Sequence, residues 1–361
     1  MMRTRWVSPL QFMVIAVNAM FGTSLLVLPR RVADSAHQDM WLAVLLASVF
    51  IAVSFRIAAA LAARFPDLTA IEYHRILLGK FWGNVLNVAM LALMLAVIAQ
   101  TIRISRIAVK IFLLDMTPSQ VIVLAFLLLA VYAAQSGLGP VIRVQQLLLL
   151  FAHSAFVALV LLGLLEIETE HYTPLLAEGV MPVLKGSLSC WTAYSGPELI
   201  IGLLYPFLVR RGSLVRFGLA GIGAVTILFV LISGITLGIL GPEETSHLLV
   251  PTIMAYRAIE IPDTFIERID GYLMIVWIAV SFTALVNWLY FTGFAAARLM
   301  RLENARPVMA LLVPVIAYLV TVPPDFYSVV IVSKWINYAG LAWGLGVLPL
   351  LLALAWRRKE G

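Results

Sequence analysis

Trp191-Thr192-Ala193-Tyr194-Ser195-Gly196-Pro197-Glu198 lies in the middle of an apolar run of span length. Ser195 to Glu198 fits the S-x-x-E capping box, in which a hydroxyl and a carboxylate satisfy backbone N–H groups at a helix start. Pro197 falls in the first turn, where its missing N–H costs little. The segment therefore reads as a helix that begins at mid-span. Such a start leaves free N–H groups and the positive end of the helix dipole at that depth. That end suits the carboxylate of a bound amino acid. Glu198 has two readings. It pairs a substrate ammonium or carries a proton, as ionisable groups within membranes usually do, or it only caps its own helix. Tyr194, Ser195, Gly196 and Glu198 are candidate ligand-binding residues.

Composition supplies the membrane. Hydrophobic residues make up 62% of the chain and charged residues 12%, with mean hydropathy +1.01. Soluble domains carry roughly 45–50% apolar and about 25% charged residues, so the charges here are too few to clothe a soluble surface. The N-terminal apolar stretch runs to Leu28–Pro29 and no small-residue cleavage site follows it, so we expect a retained span. One cysteine, Cys190, excludes a disulfide scaffold. The net charge of +6 reads as loop anchoring rather than nucleic-acid binding.

Apolar runs of roughly the 18–25 residues that cross a bilayer fall near 10–29, 39–62, 83–108, 119–135, 142–165, 185–209, 214–240, 269–296, 307–323 and 330–356. None alternates with period two, which disfavours a β-barrel. The expectation is an all-α membrane protein of about ten transmembrane helices. Lys and Arg concentrate at 3–5, 56–80, 143, 210–216, 298–306 and 357–359, which places both termini in the cytoplasm. The segment 166–182 on the other side is acidic. Arg30, Arg31, Arg103, Arg106 and Lys110 are exceptions, and we expect the last three to snorkel or line a vestibule. The stretch 63–80 is too polar to span. It reads as a cytoplasmic amphipathic helix with Thr69 and Glu72 as capping box, Gly79 as stop, and Glu72, Tyr73 and His74 on a solvated face.

Span one carries Asn18-Ala19-Met20-Phe21-Gly22-Thr23-Ser24 at its middle. Gly, Thr and Ser weaken a helix there. The run is either a break facing a cavity or a small-residue packing face. Breaks in spans one and six fit a 5+5 inverted repeat, with repeat one about 9–166 and repeat two about 184–356 of a single transmembrane domain, 1–361. Asn87, Gln100, Thr101, His153, Thr283 and Asn287 are polar positions within spans. A packing hydrogen bond accounts for each, and His153 is also a candidate proton relay. Thr283 and Asn287 share a face of span eight and are candidates for a cavity wall. No P-loop, dinucleotide fingerprint, H-E-x-x-H or metal-ligand cluster is present in the sequence. We expect no catalysis and no cofactor.

Several blocks together resemble the B-subunits of spore germinant receptors, the GerAB-like spore permeases. VNAMFGTSLLVLPRRVADSAHQDMW has the family's small-residue break at Gly22-Thr23, L-x-x-L-P from Leu25 to Pro29, and D-x-W from Asp39 to Trp41. RFPDLTAIEYHRILLGKFWG, the stretch from Arg103 to the T-P of DMTP, and TFIERIDGYLMIVW (Phe265, Glu267, Arg268, Trp277) follow in order along the chain. The resemblance implies a LeuT-like fold of the amino acid–polyamine–organocation transporter superfamily, with helices one and six broken. It also implies a spore inner-membrane location, a germinant such as L-alanine, and A and C receptor subunits as partners. Carried over by position, the ligand pocket comprises Gly22, Val97, Ser195 and Thr283, with Leu93, Thr101 and Asn287 nearby and Thr23 beside the break. Pro197 between Gly196 and Glu198, and the basic pair Arg30-Arg31, depart from the family pattern. Three functions fit such a pocket: a germinant-sensing receptor subunit, a secondary amino-acid transporter coupled to H⁺ or Na⁺, and a ligand-gated conduit for water or ions.

Overall fold

The computed structural model describes residues 6–259, 269–323 and 325–358. The family-like positions Phe265, Glu267 and Arg268 and the His153 side chain lie outside the described part. Each of the ten apolar runs is helical. α1 (Pro9–Phe21) and α2 (Ser24–Ala36) are two halves of one run, and α3 (Met40–Arg64) follows after a short turn. α4 (Ala70–Phe112), α5 (Ser119–Gln135) and α6 (Leu138–Gly163) complete the first part of the chain. The sixth run is divided into α7 (Val180–Ser189), α8 (Trp191–Tyr194) and α9 (Pro197–Leu204). Then come α10 (Leu214–His247), α11 (Pro251–Arg257), α12 (Ile269–Leu299), α13 (Arg306–Thr321), α14 (Phe326–Leu341) and α15 (Leu348–Arg357), the last two joined by a π-helical stretch. Among the described residues, six helical runs are long and apolar enough to cross a membrane, and three shorter apolar helices accompany them.

α1 starts on a box that locks its first turn. The Ser8 hydroxyl accepts the Gln11 amide and the Gln11 side chain accepts the Ser8 amide, and Pro9 occupies the first helical position. α1 then runs between α10 and α12, while α9 packs on α3 and α2 packs on α10 and α7. Both broken runs are therefore enclosed by long helices, where irregular backbone is tolerated in an apolar surround. The exterior is apolar: Leu128, Leu147, Leu150 and Leu161 are all exposed. A continuous apolar exterior of this kind is solvated by lipid.

Two expectations about polar residues are corrected. The stretch after Phe65 does begin with the Thr69–Glu72 box, the Glu72 carboxylate accepting the Thr69 amide at 2.7 Å. Gly79 leaves helical geometry at φ 80°. However, Tyr73 and His74 are buried rather than solvated. The turn at Gly79 folds the first arm of α4 against its continuation, so close at Gly83 that a Cβ there would lie 2.6 Å from Arg75 Cα. His74 Nδ1 meets Asn87 Oδ1 at 2.7 Å, and Asn87 donates to Ile71 O. Arg103 neither snorkels nor lines a vestibule. It is 2% exposed, and its guanidinium donates to Leu319 O, Val320 O and Gln100 Oε1. It caps the C-terminal carbonyls of α13, where a cation also opposes the negative dipole end.

Candidate functional site

The first break follows from three residue types in succession. α1 ends at Phe21, Gly22 adopts φ 24° and ψ −136°, and α2 resumes at Ser24. Glycine takes such a positive φ without the steric cost other residues bear. α12 holds the end of α1 in place through side-chain donors. Asn287 Nδ2 donates to Ile15 O at 2.8 Å, Trp288 Nε1 to Ala19 O at 3.2 Å, and Ser281 Oγ to Gly22 O at 3.1 Å. The Thr283 hydroxyl lies 2.8 Å from Asn18 Oδ1, and Asn18 Nδ2 donates to Val14 O. Thr283 and Asn287 thus make the interhelical hydrogen bonds expected of polar residues in spans.

The second break is built around Gly196, at φ 142° and ψ −58°. A Cβ there would lie 2.8 Å from Ala19 Cβ of the other broken run, so both the torsion and the close approach require glycine. Pro197 falls in the first turn of α9, as expected from the sequence, and is its first helical residue. The capping box is changed in detail. The helix begins one residue later than Ser195 would place it, with Gly196 as its cap. Ser195 Oγ donates to Glu198 Oε1 at 3.0 Å, and the Gly196 amide donates to Glu198 Oε2 at 3.1 Å. Glu198 is 3% exposed. The Tyr194 hydroxyl donates to Val44 O.

Beside the first break lies a cavity of about 30 Å³, room for about two water molecules. Gly22, Thr23, Val97 and Thr101 line it. Leu93, Tyr194, Ser195, Gly196, Glu198, Thr283 and Asn287 lie off its wall; Tyr194 to Glu198 form the second break, and Thr283 and Asn287 bind α1. Also on the wall are Ala19, Ser24, Val27, Arg31, Gln100, Thr192, Trp288, Ser333 and Ile336. Sequence reading did not place Arg31, Thr192, Trp288 or Ser333 here. Arg31 carried a signal, as a cation out of pattern beside a broken span. Thr192, Trp288 and Ser333 carried none. A polar relay frames this wall. Arg31 Nη1 donates to Thr192 Oγ1 at 2.8 Å, Thr192 donates through its hydroxyl and amide to Asn337 Oδ1, and Asn337 donates to Leu188 O. Beside it, Gln100 Nε2 donates to Ser333 Oγ.

The architecture is that of known transporters. The structure of MhsT in complex with L-phenylalanine superposes with a TM-score of 0.69 at 15% identity, covering 98% of this chain and 99% of that one. Mhp1, a nucleobase-cation-symport-1 family transporter with bromovinylhydantoin bound, gives 0.63 at 12% identity, covering 97% and 78%. These likenesses establish a LeuT-type fold. In sequence, the chain is 27% identical to spore germination protein YndE of Bacillus subtilis over 359 residues, 99% of this chain and 98% of the relative. It is 28% identical to spore germination protein A2 of the same organism over 344 residues, 94% and 92% of the two chains. The model of the spore permease family, described as spore germination protein, matches residues 6–326. Most of the chain lies within that match, and the chain belongs to the spore germination protein family.

Proposed function

We propose that the protein is the membrane subunit of a nutrient germinant receptor, binding a small amino acid between its two broken helices and signalling rather than transporting. The observation that carries this reading is the cavity itself. It lies against the first break and reaches Thr192 of the second broken run, the region in which transporters of this architecture hold substrate, and its wall mixes Gly22, Thr101 and Thr192 with apolar Val97, Trp288 and Ile336. The family's role in germination and the fold's role in small-molecule binding meet at that cavity.

The sensing reading is favoured over a Na⁺-coupled transporter by the first break. In such transporters, carbonyls of unwound helices coordinate the coupling ion. Here the carbonyls at the end of the first half-helix and at the break, Ala19 and Gly22, accept an N–H and an O–H group from α12. Donors fixed against these oxygens oppose a cation at the same place.

In this reading the chain is a single transmembrane domain with repeats at about 9–166 and 184–356. Both termini face the cytoplasm, the membrane is the inner membrane of the spore, and an A and a C subunit complete the receptor. The test is uptake of a labelled mixture of the twenty L-amino acids into proteoliposomes carrying the purified chain. Binding without concentrative uptake, under either an inward Na⁺ or an inward H⁺ gradient, is expected. Robust gradient-driven uptake would overturn the sensing reading.

A further inference from the structure

A ligand carboxylate needs a donor set, and the obvious one is taken. The first turn of α9 offers few N–H groups. Gly196 donates to Glu198 Oε2, Pro197 has no N–H, and the Leu199 amide closes on Gly196 O. The helix end that the sequence earmarks for a substrate anion is therefore filled by the protein's own carboxyl group, and none of these residues lies on the cavity wall.

Arg31 is the one charged side chain on that wall. It projects from α2 about two helical turns beyond the Gly22 break. Its guanidinium makes one side-chain hydrogen bond, to Thr192 Oγ1 at 2.8 Å, and among the described residues no carboxylate lies against it. A guanidinium carries five N–H donors in a planar fork that matches a carboxylate, so most of its capacity is unused. Its orientation is nonetheless fixed, because Thr192 is anchored by Asn337, and Asn337 by Leu188 O. A half-buried cation on the cavity wall with no carboxylate against it is poised to take an anion.

We propose that Arg31 is the carboxylate anchor of the cavity and that its ligand is a small monocarboxylic acid, an α-amino acid in the first instance, held by its carboxylate at the α2 end of the cavity. This rests on the reading of the cavity as the ligand site. The Glu198-filled helix end plays no direct part in holding the anion.

The test compares acid with amide. The purified chain in nanodiscs is titrated with the twenty L-amino acids, and the tightest is then compared with its carboxamide in the wild type, Arg31→Lys and Arg31→Gln. The wild type is expected to prefer the acid by about tenfold or more, the scale of a charge-assisted contact. That preference should collapse to near unity in Arg31→Gln and persist in part in Arg31→Lys, with both variants monodisperse and melting near the wild type. An acid-to-amide ratio unchanged in Arg31→Gln would overturn the proposal. If no amino acid binds the wild type, the amino-acid reading of the cavity fails on its own. Propionate then decides for Arg31: a rise in melting temperature in the wild type that is absent from Arg31→Gln supports the anion site, and equal behaviour of the two overturns it.

Discussion

Glu198 shows how one side chain sets a broken helix. Both its oxygens are engaged, one by the Ser195 hydroxyl and one by the Gly196 amide, within a surround that leaves it almost no exposure. Replacement by Gln keeps an acceptor for Gly196, and the Ser195 hydroxyl can turn to accept from the new amide. Replacement by Ala leaves the Gly196 N–H buried without a partner, which costs about 1–3 kcal/mol. We therefore expect Glu198→Gln to melt close to the wild type in nanodiscs and Glu198→Ala to melt clearly lower. Equal melting of the two would remove the capping role. This residue was legible in sequence because a capping box is a local pattern. Its reversed polarity was not, since it goes with a helix that begins at Pro197 with Gly196 as its cap, at a point packed so tightly on Ala19 of the other run that only glycine fits. His74 was misread for a similar reason: its partner Asn87 reaches it only because the chain turns at Gly79.

At the level of elements, the long helices were legible and their cross-links were not. Ten apolar runs follow from the length a bilayer demands, and the helices fall on them. What joins the helices is polar and distant in sequence. Arg103 binds carbonyls 216 and 217 residues further along the chain, and Asn287 binds one 272 residues earlier. No local pattern announces a side chain whose partner is a backbone oxygen on another helix. Arg103 holds the C-terminal end of α13 to α4, and through Gln100 it adjoins Ser333 on α14 and the cavity wall. Replacing it with Leu strips donors from two carbonyls, at about 1–3 kcal/mol each if they stay buried and unpaired. Arg103→Leu should lower the melting temperature in nanodiscs strongly and Arg103→Lys less, since a lysine keeps the charge but not the fork. A wild-type melt for Arg103→Leu would show that the end of α13 is capped by other means.

On the scale of the whole molecule, the apolar exterior and the placement of the cations describe a protein fixed across a membrane. The orientation inferred from Lys and Arg puts Ser213 on the cytoplasmic side and Glu170 on the outer side. Cys190 is the single cysteine, so a Cys190→Ala background is free of cysteine. In that background Glu170→Cys should react with an impermeant maleimide on intact cells, and Ser213→Cys only after permeabilisation. The reverse pattern would invert the topology.

A ligand seated against the two broken runs should slow hydrogen exchange in both. The cavity is small and bordered by the first break and by Thr192 of the second broken run, so a bound amino acid is expected to settle both broken runs around it. Exchange is followed by mass spectrometry on the chain in nanodiscs, with and without a mixture of the twenty L-amino acids. Slower exchange is expected in the peptides covering Ala19–Ser24 and Trp191–Glu198 together. Unchanged exchange in both segments, with protection elsewhere, would contradict the account.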